Sequence, residues 1–231
     1  MTREFCLKIF LLYLLDLYFK MNNKIIDRYL FKHPFSCIVA GPSKSGKTQL
    51  IHQILQSIDQ YVTPKIEKII YCYSEWQHAF DQLDNVEFVN GLIEYDSLCS
   101  TIPKLVIIDD LMEEGVQNRL VVDLFTKGSH HKNLSVFFIT QNLFNKGKHS
   151  RTISLNSQYI ILFKNPRDQS QIRHLAIQMY PTNQKFLIDS YNDATRRPHG
   201  YIFIDNNQTT ENDLRIQTDI TNNVRIVYIP K

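Results

Sequence analysis

Two glycines, a lysine and a threonine stand at fixed spacing in residues 41–48, GPSKSGKT, which fits the pattern G-x-x-x-x-G-K-[ST]. The chemistry open to that set is capture of a polyphosphate. Glycine at 41 and 46 lets the backbone curl tightly, so successive N–H groups converge on one cluster of anionic oxygens. Pro42 carries no N–H, so the donors begin at Ser43 and run through Lys44, Ser45 and Gly46 to Lys47. A helix starting near Lys47 adds the positive end of its dipole. Lys47 is placed to bridge the β- and γ-phosphate oxygens of a nucleotide, and the Thr48 hydroxyl to bind Mg²⁺.

A second stretch, KLVIIDDLM at 104–112, is an apolar run closed by two acids, Asp109 and Asp110. Asp109 ends a strand and suits magnesium coordination, directly or through water. The chemistry open to Asp110 is polarisation of the water that attacks the γ-phosphate. Many ATPases carry Glu at that position. Asp is one methylene shorter, so the water must approach closer or another group must help. Glu113 and Glu114 are the reserve acids, although acids there also suit the start of a helix. A third run, LSVFFIT at 134–140, ends in Thr140–Gln141–Asn142, where Gln141 can sense the γ-phosphate and orient water.

These groups need a scaffold that brings strand ends together. FSCIVA (35–40), IEKIIYCY (66–73), VEFVN (86–90), LVIID (105–109), LSVFFIT (134–140) and SQYIILF (157–163) are short runs rich in β-branched and aromatic residues, several apolar on both faces. Helical periodicity occupies 47–60, 113–127, roughly 168–179 and 183–195, with Leu50, Ile51, Ile54, Leu55 and Ile58 on one face of the first. Strands alternating with helices imply a mostly parallel sheet with right-handed crossovers, a three-layer α/β domain of the P-loop type. GYIFID (200–205) and VRIVYI (224–229) add late strands, expected at an antiparallel edge. The two strands between GPSKSGKT and LVIIDD leave room for LSVFFIT to pair between the two motif strands. That additional-strand, RecA-like arrangement is the one of ring-forming ATPases rather than small-molecule kinases or GTPases. The absence of N-K-x-D anywhere in the chain favours ATP over GTP.

The chain has 231 residues, 43% apolar and 21% charged, which suits a folded domain with a sizeable core and excludes wholesale disorder. A net charge of +3 is compatible with a nucleic-acid partner without arguing for one. Cys6, Cys37, Cys72 and Cys99 lie far apart, as reduced thiols in a protein that is not secreted would. The first twenty residues are hydrophobic, but their uninterrupted apolar run, Ile9–Leu15, falls far short of the ~20 residues that cross a bilayer. They are read as an upstream extension ahead of a start at Met21; a helix packed on the domain and a surface anchor are the alternatives. Residues 21–206 form the expected ATPase domain, and 207–231 a C-terminal strand and tail.

Taken together, GPSKSGKT, KLVIIDDLM, LFTKGSHHKNLSVFFITQNLF (124–144) and SRTISLNSQYIILFKNPRD (150–168) resemble the packaging ATPases of the FtsK–HerA superfamily. The likeness is nearest to those of Maverick/Polinton elements and adinto-like viruses, relatives of the poxvirus-type packaging ATPase. It runs from about residue 30 to about 206. The resemblance implies an ATP- and Mg²⁺-dependent DNA translocase, a homo-oligomeric ring that pumps a genome into a capsid. Its partners would be DNA and a capsid or portal protein, and its location the virion or the host nucleus or cytoplasm. By the same resemblance Lys47 and Thr48 match the phosphate-loop pair, Asp109 the magnesium acid, Asp110 the catalytic acid and Gln141 the polar sensor. Arg151 is the choice for an arginine finger inserted into a neighbour's site, with Arg119 in reserve. Lys127, His130, His131 and Lys132 before the sensor strand, and Lys146, Lys148, His149 and Arg151 after it, form basic loops suited to tracking DNA phosphates. The His130–His131 pair has no acidic or Cys partners at ligand spacing and is not read as a metal site. Two other functions stay open: a membrane-linked virion-morphogenesis ATPase and an ATP-binding switch that does not hydrolyse.

Overall fold

Alternation between two apolar faces is what places the strands in the middle of the molecule. Along the strand containing Cys37 to Ala40, Cys37 and Val39 join one core while Ile38 and Ala40 join another. The same division separates Ile69 and Tyr71 from Ile70 and Cys72, and Phe137 and Ile139 from Val136 and Phe138. Because successive strand residues point to opposite faces, a sheet apolar on both must be covered on both. A computed structural model describes residues 30–94, 98, 101–109, 111, 119–128, 133–144, 149–222 and 224–230.

The strands are β1 (Phe31–Lys32), β2 (Ser36–Ala40), β3 (Val62–Thr63), β4 (Lys68–Tyr73), β5 (Val86–Asn90), β6 (Lys104–Asp109), β7 (Leu134–Thr140), β8 (Tyr159–Phe163), β9 (Tyr201–Asp205), β10 (Ile216–Thr218) and β11 (Ile226–Tyr228). Nine of them form one sheet in the order β11-β10-β9-β8-β2-β7-β6-β4-β5, while β1 and β3 pair separately. From β8 to β5 all pairings are parallel, and β9, β10 and β11 continue the sheet antiparallel. The expected antiparallel edge is therefore present, and β7 lies between β2 and β6 as the spacing of the strands implied.

One face of the sheet is covered by α1 (Lys47–Gln56), through Leu50, Ile51, Ile54 and Leu55. The other is covered by α3 (Arg119–Asp123) and the π-turn Leu124–Gly128 that extends it, α4 (Ser150–Leu155), α5 (Ser170–Met179) and α6 (Gln184–Ala194), whose apolar residues Val121, Ile153, Leu175 and Leu187 share the second core. The result is helix, sheet and helix in three layers.

Three details depart from the expected elements. The helix expected over 47–60 breaks at Ser57, whose φ of −134° ends α1 and separates it from the short α2 (Ile58–Tyr61). Ile58 and Tyr61 nevertheless pack on the same core as α1, which is why helical periodicity alone joins the two. Residues 150–155, read as an interstrand loop, form α4. Here burial of Ile153 outweighs the modest helix propensity of a β-branched, serine-rich stretch. The strand β10 is three residues long with Gln217 at its centre, too short and too polar for a periodicity signal. The extension 1–20, Met21 and the 113–118 part of the second expected helix lie outside the described residues. Among the described residues no helix is long and apolar enough to cross a membrane.

Candidate nucleotide site

The loop of residues 41–46 leaves β2 at the carboxyl edge of the sheet and enters α1, with the Gly41 N–H donating to Thr140 O at the end of neighbouring β7 (3.2 Å). A Cβ at Gly41 would lie 2.6 Å from Phe163 Cβ and 2.9 Å from Ser45 Oγ, so only glycine lets the loop pass this close to β8. At the other end Gly46 has φ +105°, a conformation that strains any L side chain, and its carbonyl accepts the Leu50 N–H of the first helical turn (2.9 Å). Lys44 is also left-handed, at φ +63°. Successive residues of alternating handedness turn backbone N–H groups inward, which makes a nest for an anion.

Lys47 Nζ donates to Gly41 O (2.7 Å) and Pro42 O (2.9 Å), so the ammonium lies over the loop rather than out in solvent. Ser45 Oγ is buried and makes no hydrogen bond among the described residues. A buried hydroxyl without a partner, inside a loop of converging donors, fits a polar ligand.

Asp109, the last residue of β6, is only 4% exposed and faces this loop. Its Oδ2 accepts from Thr48 Oγ1 (3.1 Å) in the first turn of α1 and from Tyr71 Oη (2.6 Å) on neighbouring β4. The structure thus brings together two residues 61 positions apart that were assigned to one metal. A hydroxyl and a carboxylate are hard oxygen donors, the type Mg²⁺ selects, and they sit beside the nest that would hold the phosphates. Tyr71 is a residue that sequence reasoning missed. Burial, then the Asp109 charge and the hydrogen bond to it, push its phenol far above the usual range, so it stays a donor at any working pH. Its signal in the sequence was a phenol, one of two with Tyr73, in the mostly apolar run IIYCY. Against the Tyr71 ring packs His52 of α1, at 5.9 Å between centroids; the Nε2 of His52 is buried without a hydrogen-bond partner among the described residues, and burial lowers its pKa.

Two further side chains position the site from a distance. His199, itself left-handed at φ +60°, bonds through Nδ1 to Ser45 O (3.1 Å) and packs against Gly46, bracing the loop from the 196–200 segment. Gln171, buried on α5, accepts from Leu143 N (2.9 Å) and donates to Asn142 Oδ1 (3.0 Å), which anchors the turn that carries Gln141. Neither belongs to a recognisable motif.

Gln141 follows the end of β7 and is exposed, at the same sheet edge as the loop and Asp109. Arg151 is exposed in the first turn of α4, on a helix rather than the loop expected for it. Arg119 is also exposed, with its Nε 3.9 Å from Asp123 one helical turn on. Lys127 falls in the π-turn and His149 directly precedes α4, without a side-chain capping hydrogen bond. Asp110, Glu113, Glu114, His130, His131, Lys132, Lys146 and Lys148 lie outside the described residues. No cluster of three potential metal ligands occurs among the described residues.

Comparison of the whole chain with solved structures decides the fold. It superposes on B204, the DNA-packaging ATPase from Sulfolobus turreted icosahedral virus, with a TM-score of 0.54 at 12% identity, covering 80% of this chain and 96% of that one. The genome-packaging NTPase B204 from Sulfolobus turreted icosahedral virus 2 matches with a TM-score of 0.51 and 15% identity in complex with AMPPCP, again over 80% and 96%. Its complex with sulfate gives 0.53 and 13%, over 80% and 95%. The fold is that of a P-loop NTPase. No family model matches the sequence, and no curated protein matches it by sequence. Within a P-loop NTPase, the loop at 41–48, the Thr48–Asp109 contact and the β7 end at Gln141 occupy one edge of one sheet.

Proposed function

We propose that this P-loop NTPase is an ATP-driven motor that moves duplex DNA and packages a genome into a capsid, of the FtsK–HerA, Maverick/Polinton and adinto-like type. The observation that carries the reading is the hydrogen bond from Thr48 to Asp109, with the sensor strand β7 seated between their two strands. It joins the phosphate loop to a buried acid across the edge of the sheet. The likeness in fold to a DNA-packaging ATPase supports the same reading, as does the order of motifs along the chain.

The nest of Ser43 to Lys47 would hold the phosphates, with Lys47 exchanging its loop carbonyls for the β- and γ-oxygens. Thr48 and Asp109 would hold Mg²⁺, which when bound neutralises charge on those oxygens. Asp110 and Gln141 orient the attacking water. Arg151, exposed on α4, is suited to reach a neighbouring subunit's site in a ring. The basic residues that flank β7 in the sequence would follow DNA phosphates without reading sequence.

The test is steady-state ATP hydrolysis by the full chain, without DNA and with duplex or single-stranded DNA, beside Lys47→Ala and Asp109→Asn. Stimulation by duplex DNA that both substitutions abolish supports the motor. ATP binding with turnover at the level of Lys47→Ala, under conditions where the protein assembles, refutes it.

A further inference from the structure

Strands β4 and β6 are parallel neighbours, with Tyr73 paired to Asp109. The chain that follows Tyr73 therefore leaves the sheet at the same edge as the magnesium acid. Tyr73, Ser74, Glu75, Trp76 and Gln77 line, together with Asp109, an open cleft of about 250 Å³ beside the magnesium acid. Its one further carboxylate is Glu75, which is exposed and, among the described residues, enters no hydrogen bond or ion pair. The segment is held in place by its neighbours. The Trp76 ring, 51% exposed, packs edge-on against Tyr73, Phe80 and Phe88 with centroids 5.5, 5.3 and 5.2 Å away. Glu75 thus projects from a loop pinned on both sides by aromatic contacts.

We infer that Glu75 is the base that accepts the proton of the water attacking the γ-phosphate, an inference that rests on the ATPase reading above. The acid that follows Asp109 in the sequence is an aspartate, a methylene short of the usual glutamate, whereas Glu75, in the loop that follows the adjacent strand, lines the cavity beside Asp109. As the Glu75 carboxylate takes a proton from water, the water oxygen bonds to the γ-phosphorus. The bond from that phosphorus to the β–γ bridging oxygen breaks, and its electron pair leaves with ADP. The proton then passes from Glu75 to solvent or to the released phosphate, which restores the carboxylate.

Turnover and binding are measured in parallel on the wild type, Glu75→Gln and Glu75→Asp. Trp76, the only tryptophan in the chain, reports on the cavity by its fluorescence. General bases contribute roughly 10²–10⁴ in rate. Glu75→Gln is expected to lose ~100-fold or more in kcat while nucleotide affinity changes less than ~3-fold, with Glu75→Asp between the two. Saturating Mg²⁺–ATPγS is expected to change Trp76 emission, and Mg²⁺–ADP to change it less. Glu75→Gln turnover within ~3-fold of wild type overturns the assignment while leaving the ATPase reading intact. So does Trp76 emission that ignores ATPγS when a displaced fluorescent nucleotide shows that it binds. A wild type that binds ATP and never hydrolyses it, assembled and with duplex DNA present, overturns both.

Discussion

Replacing Tyr71 by Phe removes a single oxygen from the interior of the site. The phenol donates to Asp109 Oδ2 at 2.6 Å, and both side chains are buried. A hydrogen bond to a charged group contributes about 1.5–3 kcal/mol, and without the phenol the buried Oδ2 keeps only its longer bond from Thr48. At about 2–4 °C per kcal/mol for a domain of this size, Tyr71→Phe should lower the melting temperature by about 3–12 °C. A double-mutant cycle with Asp109→Ala, read by urea denaturation, should give a coupling of at least about 1.5 kcal/mol, because the two residues act on each other. The same oxygen is shared with Thr48, so the loss also loosens the carboxylate that would hold Mg²⁺. Magnesium-dependent nucleotide affinity should therefore fall by about 10-fold, while magnesium-free affinity changes little. Tyr71→Phe within about 0.5 kcal/mol of wild type, or a coupling near zero, would refute the idea that Tyr71 holds Asp109 in place.

Gly41→Ala should abolish nucleotide binding or folding, since its Cβ would meet the Cβ of Phe163 at 2.6 Å, an atom that cannot swing aside; unchanged affinity in a titration would contradict this. His199→Ala removes the brace on Ser45 O and should weaken nucleotide binding several-fold with little loss of stability, measured by calorimetry and a thermal melt. His33 and His52 have pKa values lowered mainly by burial, so the unfolded chain takes up protons that the folded one refuses. Their contribution is fully present above the ordinary histidine range and is lost as the pH falls through it toward the folded values. Urea midpoints should fall between pH 7.5 and 5, and less steeply in His52→Leu. An identical slope in that variant would remove His52 from the account.

What the sequence showed most clearly is local. GPSKSGKT is legible because each residue type answers a backbone or phosphate requirement within eight positions. LVIID and LSVFFIT are legible because strands buried on both faces read as unbroken apolar runs. The seat of β7 between β2 and β6 followed from counting strands between motifs. Tyr71, His199, Gln171 and Glu75 were not legible, because each acts on the site through pairing of distant segments. Tyr71 reaches Asp109 over 38 positions and His199 reaches Ser45 over 154, and no periodicity encodes such contacts. The break at Ser57 was missed because Ile58 packs on the same core as α1 and keeps the apolar periodicity unbroken, and the helix at 150–155 because burial of Ile153 overrode what its neighbours' propensities suggest.

Motion along DNA is the claim that all the other assignments serve, and displacement of a third strand from a duplex reads it directly. The full-length protein with ATP and Mg²⁺ should release a triplex-forming oligonucleotide placed far from the duplex end, at a rate that scales with ATP hydrolysis and vanishes in Lys47→Ala. Steady ATP hydrolysis on the same duplex, with the third strand retained as fully as in Lys47→Ala, would contradict the motor.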